Sequence, residues 1–260
     1  MNPPPREPNP NLIEVRDLVV KFGERTILDG ISLDIRRGET FVILGGSGSG
    51  KTTLLRNLVG LLRPHGGTIV FDGRDFTQMN DGERLHARQR MGMCFQGSAL
   101  FGSMTVGENI AMPLLEHTRL EESTIEIMVK IKLELVGLSG FENYLPSELS
   151  GGMKKRAGLA RALALDPDIL FFDEPSAGLD PVTSRKMDEL ILQIREMFGT
   201  TIVVVSHELA SIFSIADRVI MLEIGAKGII AEGSPRELAL NRRDPRVSDF
   251  LQRGDAVSRS

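Results

Sequence analysis

Gly45-Gly46-Ser47-Gly48-Ser49-Gly50-Lys51-Thr52 follows the apolar run Thr40 to Leu44 and leads into Thr53-Leu54-Leu55-Arg56-Asn57-Leu58. A strand, a glycine-rich loop and a helix in that order make a P-loop. The glycines let the backbone turn tightly, so that successive N–H groups point at one place and the positive end of the following helix adds to the field there. A chain of phosphates fits such a cradle. Lys51 is expected to reach the β- and γ-phosphates as a mobile point charge and the Thr52 hydroxyl to hold Mg²⁺, with Gly45 to Thr53 forming the nucleotide site. The pattern implies an α/β fold that binds a nucleoside triphosphate, and the rest of the chain must say for what purpose.

Working outward, bulk properties narrow the choice. The chain has 260 residues and 41% hydrophobic content, enough for one large domain or two small ones with a proper core. Its 31 Lys and Arg nearly balance 35 Asp and Glu, so no long-range positive field points to nucleic acid. The single cysteine, Cys94, lies in an apolar run and reads as buried filler in a reducing compartment. No apolar stretch approaches the roughly 18 to 20 residues of a membrane span. The start, Met1 to Pro10, is proline-rich and polar, unlike a signal peptide, and is expected to be disordered in a cytosolic protein.

Before the P-loop, Leu12 to Leu18 and Ile31 to Ile35 alternate apolar and polar residues as half-wet strands do, with turns expected at Gly23 and Asp29-Gly30. Phe22 ends the first stretch. Composition favours core packing for it, whereas an exposed ring near a nucleotide would stack on the base. After the P-loop helix, Gly66 to Phe71 and the turn Asp72-Gly73 read as a hairpin, and Met91 to Phe95 is another short apolar run with Gln96 at its end. Gln96 is either a loop amide or, at the C-terminal edge of a sheet, a sensor of bound ligand. From about Gly97 to Leu165 helix periodicity takes over. Ile125, Met128, Ile131, Leu135 and Leu138 are expected to form a buried face, with Glu121, Glu122, Glu126, Lys130, Lys132 and Glu134 in solvent.

Leu149-Ser150-Gly151-Gly152-Met153 opens a helix carrying Lys154-Lys155-Arg156 and running to Leu165. Ser150 caps it, and the glycines leave room for a close anion; cap alone and anion site are both open readings. Ile169 to Phe172 is a buried parallel strand ending in Asp173-Glu174. Asp173 suits the acid that supports Mg²⁺ through water, and Glu174 can take a proton from an attacking water. Asp180-Pro181 starts a helix, Thr201 to Val205 is a buried strand, and Ser206-His207 follows it directly. His207 is either a structural histidine or a contact to the γ-phosphate. Strands near Val219 to Leu222 and Ile229 to Ala231, a capping box at Ser234 to Glu237 and a polar end complete the chain.

In order, the P-loop, Gln96, Leu149 to Met153, Ile169 to Glu174, Ser176-Ala177-Gly178-Leu179-Asp180 and His207 resemble the motif set of ABC-transporter ATPases over roughly Leu12 to Leu240. The resemblance implies a P-loop ABC cassette with a mixed-sheet RecA-like core, an antiparallel β subdomain and a helical insertion over about residues 97–165. Residues 1–11 precede the 12–240 domain, and 241–260 would form a C-terminal helix and flexible tail. It implies a head-to-tail homodimer with two ATP molecules, each on Lys51 and Thr52 of one chain and covered by Ser150, Gly151 and Gly152 of the other. By the same resemblance Phe22 stacks on adenine, although Tyr is usual there. Gln96 meets Mg²⁺ and a transporter partner, Asp173 supports Mg²⁺, Glu174 activates water, Asp180 links the two sites and His207 holds the γ-phosphate.

A narrower likeness, to ATPase subunits of Mla phospholipid transporters, rests on Phe95 to Phe101, Glu108 to Leu114 with Glu116-His117-Thr118, Lys132 to Leu138 and Asp244 to Val247. It implies phospholipid transport between bacterial membranes with an integral permease dimer and an MCE-domain lipid-binding protein, on the cytoplasmic face of the inner membrane. A small regulatory subunit on the helical insertion stays open. Gln96-Gly97-Ser98 and Gly178-Leu179-Asp180 depart from the usual Gln-Ser-Gly and Gly-Gln-Asp, as a sister branch of MCE-linked transporters would. The alternatives are the ATPase of a polar-solute importer, a DNA-maintenance or translation ATPase, and a regulator without turnover.

Overall fold

The computed structural model describes residues 10–240 and 244–255. β1 (Asn11–Phe22) and β2 (Arg25–Arg36) form an antiparallel pair around the turn at Gly23. Asp29-Gly30 is not a second turn. It lies inside β2, between the pairings Leu18 with Ile31 and Val20 with Leu28, where β2 carries one extra residue. Gly30, at φ 69°, absorbs that bulge, which is why the same residue type signals a turn in the sequence.

β3 (Thr40–Gly45) leads through the P-loop into α1 (Lys51–Leu58). β4 (Gly66–Phe71) and β5 (Arg74–Asp75) make the expected hairpin, closed by Asp72 and Gly73 at φ 51° and 75°, the left-handed pair that tight hairpins need. α2 (Asp81–Gln89) and β6 (Met91–Cys94) follow. Then come the helices α3 (Val106–His117), α4 (Glu122–Leu135) and α5 (Gly151–Ala162). The last part of the chain holds β7 (Ile169–Asp173), α6 (Pro181–Phe198), β8 (Thr201–Val205), α7 (Leu209–Ile215), β9 (Arg218–Glu223), β10 (Gly228–Gly233), α8 (Pro235–Leu240) and α9 (Pro245–Asp255).

Two sheets result. One is antiparallel, in the order β2-β1-β4-β5, and the other is mixed, in the order β10-β9-β3-β8-β7-β6. In the second, β9, β3, β8, β7 and β6 run parallel and β10 closes the edge in the opposite sense. Period-2 alternation sends its residues to two cores. Val42, Leu44, Leu170, Phe172, Ile202 and Val204 pack toward the helical layer, while Phe41, Ile43, Ile169, Phe171, Val203 and Val205 pack toward the antiparallel sheet. Burial on both faces explains the unbroken apolar runs, and each such side chain contributes about 1.5–3 kcal/mol.

The helical stretch is present, and of its expected face Ile125 and Leu138 are buried and Met128 packs against the core, while Ile131 does not join them. α4 buries Ile125, Val129, Lys132 and Leu133, whereas Ile131 is about half exposed. Lys132 faces inward because its ammonium pairs with Asp166, which lets its aliphatic stem cover apolar surface. α5 ends at Ala162 rather than Leu165, ahead of a turn in which Asp166 takes φ 49°. The Ser234–Glu237 capping box forms as expected, with both reciprocal bonds in place. The expectations for residues 1–9 and for the tail beyond 255 lie outside the described residues.

Candidate functional site

Because β3, β8, β7 and β6 are parallel neighbours, the loops after them share one edge of the sheet. The P-loop follows β3, Ser206-His207 follows β8, Glu174 follows β7, and Gln96 lies just beyond β6. This is the edge where α/β sheets carry their chemistry.

The P-loop's first glycine has no substitute. Gly45 sits at φ 148°, and a Cβ there would come within 2.5 Å of both the Leu222 carbonyl oxygen and Ser49 Oγ. The loop folds around its own lysine: Lys51 Nζ donates to the carbonyls of Gly45 at 2.8 Å and Gly46 at 3.0 Å. Burial lowers the Lys51 pKa, and Glu174 and Asp173 oppose the shift. Thr52 Oγ1 lies 3.2 Å from Asp173 Oδ1. Burial pushes the Asp173 carboxyl up, partly offset by that hydroxyl. Ser49 Oγ is buried in the same loop with no hydrogen-bond partner among the described residues. A desolvated carboxylate, a hydroxyl beside it and an orphaned polar atom suit a site that takes phosphate and a hard cation together.

Glu174 holds φ 54°, left-handed for a residue with a side chain, while its N–H donates to the Val205 carbonyl at 2.9 Å. Its Oε1 is 2.8 Å from His207 Nδ1, so the structure brings these two expected residues together. The Glu174 side chain is 14% exposed and that of His207 61%, which leaves the pair facing outward from the sheet edge. Asp180 caps α6, accepting from the N–H groups of Val182 and Thr183 at 3.0 and 3.1 Å. The Thr183 hydroxyl holds its carboxyl below the ordinary range.

Ser150, Gly151 and Gly152 sit elsewhere. Ser150 Oγ accepts the Met153 N–H at 3.3 Å and so caps α5. These three residues line a cavity of about 760 Å³ with Asp180, Thr183 and Arg156, and no P-loop residue borders it. Own-chain geometry therefore joins the P-loop, Asp173, Glu174 and His207 and leaves Ser150 to Gly152 apart. Gln96 is exposed, with no hydrogen bond to the P-loop or Asp173 among the described residues. Phe22 is 54% exposed, which overturns core packing for it.

Sequence reasoning passed over Lys155. Its ammonium donates to three main-chain carbonyls, those of Glu174 at 3.3 Å and of Pro175 and Ala177 at 2.7 Å each. The basic run at 154–156 was visible, but only the fold shows which of its members turns inward.

A family model described as ABC transporter matches residues 28–177. The chain is 46% identical over 244 residues to the intermembrane phospholipid transport system ATP-binding protein MlaF of Haemophilus influenzae, covering 94% of this chain and 91% of that one. It is 45% identical to a probable ribonucleotide transport ATP-binding protein of Mycobacterium leprae, covering 92% of this chain and 68% of that one. Among solved structures, a dimeric ATP-binding cassette in a post-hydrolysis state with ADP and Pi aligns with TM-score 0.78 and 30% identity, over 85% of this chain and 98% of that one. A Clostridium perfringens cassette that is part of an ABC transporter complex aligns with TM-score 0.80 and 28% identity, over 94% of this chain and 100% of that one. With nucleotide-site geometry and relatives agreeing along nearly its whole length, this chain belongs to the ABC transporter family.

Proposed function

We propose that this chain is the ATP-hydrolysing subunit of a phospholipid transporter and works as a head-to-tail pair. The observation that carries the hydrolytic reading is the convergence of Lys51, Thr52–Asp173 and Glu174–His207 on one sheet edge. Lys51 exchanges two carbonyl partners for phosphate oxygens when ATP enters, with the Gly45–Thr53 amides around them. Glu174 accepts a proton from the attacking water, and His207 turns from Glu174 toward the γ-phosphate. Thr52 and Asp173, with Gln96 reaching in, are the residues that would hold Mg²⁺, whose charge neutralises the phosphates. Phe22 is exposed at the end of β1, which supports the reading that its ring stacks on the base.

The nucleotide needs a cover that its own chain does not supply. Ser150, Gly151 and Gly152, away from their own P-loop, suit the phosphates of a second copy, and Asp180 borders the same cavity. That a similar cassette was solved as a dimer supports this pairing. Among the described residues no helix is long and apolar enough to cross a membrane. By likeness to the phospholipid-transport relatives, cargo would move through an integral permease dimer. An MCE-domain lipid carrier beyond it, and placement of this chain on the cytoplasmic face of the inner membrane, follow from its likeness to the phospholipid-transport relatives.

The cargo is tested by purifying the tagged chain with its membrane partner from the native host and identifying co-purified small molecules by mass spectrometry. Phospholipid is the expected finding. A nucleotide or another polar solute, with no phospholipid, would replace this cargo with that of a polar-solute importer.

A further inference from the structure

α5 touches more of the machinery than its capped end. Lys155, just over one turn beyond Ser150, places its ammonium among the carbonyls of Glu174, Pro175 and Ala177. Three donors on one nitrogen meet three acceptors, a match that only an ammonium makes from a single point. Six residues later Arg161 donates to the carbonyls of Ser98 at 3.1 Å and Ala99 at 2.5 Å, and the α5 backbone runs so close that a Cβ on Gly158 would lie 3.1 Å from the Ser98 carbonyl oxygen. The backbone conformations of these partners are unusual. Glu174, Ser98 and Ala99 all hold positive φ, at 54°, 64° and 50°, and α5 grips the carbonyl of each. Left-handed residues with side chains persist only where the surroundings over-determine them.

We propose that Lys155 is a positioning residue for hydrolysis: from α5 it fixes the Glu174–Ala177 backbone and thereby aims the Glu174 carboxylate. This rests on the reading of Glu174 as the group that receives the water's proton. Ser150 caps the helix that carries Lys155, so the end expected to meet a second copy's nucleotide is joined by one rigid element to the carboxylate serving the chain's own nucleotide. A displacement of α5 moves Glu174 through the ammonium. Lys155 is itself half-buried and sheds water for these bonds, so a chain that lost them would not replace them with equally fixed solvent.

The test uses the full chain as wild type, Lys155→Met, Lys155→Arg and Glu174→Gln, with steady-state MgATP hydrolysis and binding of a fluorescent ATP analogue measured on each. Lys155→Met should lower kcat by about tenfold or more, the scale of a small misplacement of a reacting group, with KM and analogue affinity within about twofold of wild type. Lys155→Arg, which retains donors in a different geometry, should fall between the two. A Lys155→Met chain with wild-type kcat, or one whose lost rate is matched by lost affinity, overturns the proposal. If Lys155→Met fails to fold, Lys155→Gln, with two donors, is judged by the same split. Glu174→Gln separates the two levels of the argument. Wild-type turnover in that variant removes the reading of Glu174 and the tether with it, whereas an inactive Glu174→Gln beside an unimpaired Lys155→Met removes the tether alone.

Discussion

The sheet edge at the P-loop and the capped end of α5, the two surfaces proposed for one ligand, are finished in opposite ways. At the sheet edge Lys51 is bonded to its loop carbonyls, Thr52 to the Asp173 carboxylate and Glu174 to the His207 ring, while Ser49 Oγ has no partner among the described residues. At α5 Gly151 faces an open cavity, where an added Cβ would meet nothing within 4 Å, whereas a Cβ on Gly152 would lie 2.8 Å from Thr183 Cγ2. Groups already bonded within the chain can wait in water, and binding there exchanges one set of bonds for another. An open surface has nothing to give up and takes its partners from outside. On the proposed reading, one chain carries the floor for its own nucleotide and a lid for that of a second copy.

The strongest way to break the self-bonded side is Glu174→Gln. An amide keeps a hydrogen bond to His207 but accepts no proton, so kcat should fall by about 10²–10⁴ while ATP binding persists. Single-turnover hydrolysis and equilibrium binding read the two separately, and hydrolysis at the wild-type rate would return Glu174 to a structural role.

Gly151→Asp breaks the open side. The space around Gly151 lets the chain fold normally, yet a carboxylate facing phosphates should repel them and cut hydrolysis by about 10²-fold, with ATP still bound to the separate protomer. The decisive experiment mixes this variant with Lys51→Ala. If floor and lid come from different chains, one site of the mixed dimer is intact and activity returns to a sizeable fraction of wild type. If both come from one chain, two dead proteins stay dead when mixed.

Within the self-bonded loop, two adjacent glycines sharpen the contrast. Gly45→Ala drives a Cβ into a backbone oxygen at 2.5 Å and should cost about 2–4 kcal/mol in urea unfolding, while Gly46, with nothing within 4 Å, should lose less than about 1 kcal/mol on the same change. Equal losses would mean that the loop is free to shift and that its self-bonded form is not a fixed platform.

The two sides also differ in how legible they are in sequence. The floor is local: β3, the P-loop and α1 are contiguous, and the apolar runs of β7 and β8 announce strands buried on both faces, with Asp173, Glu174 and His207 at their ends. The lid's cap, Ser150, is equally local. What escapes is whatever depends on which way a helix faces. α4 turns Ile131 outward and Lys132 inward because Asp166 is within reach, although the two lie far apart in the chain. Lys155 is one of three successive basic residues, and only packing of α5 against the loop after β7 selects it. Gly30 fails for a different reason: a positive φ serves a bulge as well as a turn, and pairing across β1 decides between them.

The smallest expected effect concerns the join between the two sides. α6 presents Thr183, Met187 and Leu190 to the open cavity, and on another face buries Asp188, which accepts the Ser211 hydroxyl of α7 at 2.5 Å, just beyond His207 in the chain. Burial pushes the Asp188 carboxyl up to about 6, Ser211 opposes the shift, and the nearby carboxylates of Glu208 and Glu189 add to it. A folded-state pKa above the unfolded one means that the native chain holds a proton the unfolded chain has released. The contribution to stability is therefore fully present below about pH 4 and is lost as pH rises through about 6. Asp188→Asn keeps an acceptor for Ser211 and removes the buried charge, so it should be more stable than wild type by about 1–2 kcal/mol at pH 8, with the difference shrinking toward pH 5. Urea unfolding of both proteins at the two pH values measures this. Parallel curves would show that Asp188 ionises without penalty, so that water reaches the α6–α7 contact and the frame shared by floor and lid is looser than a dry join requires.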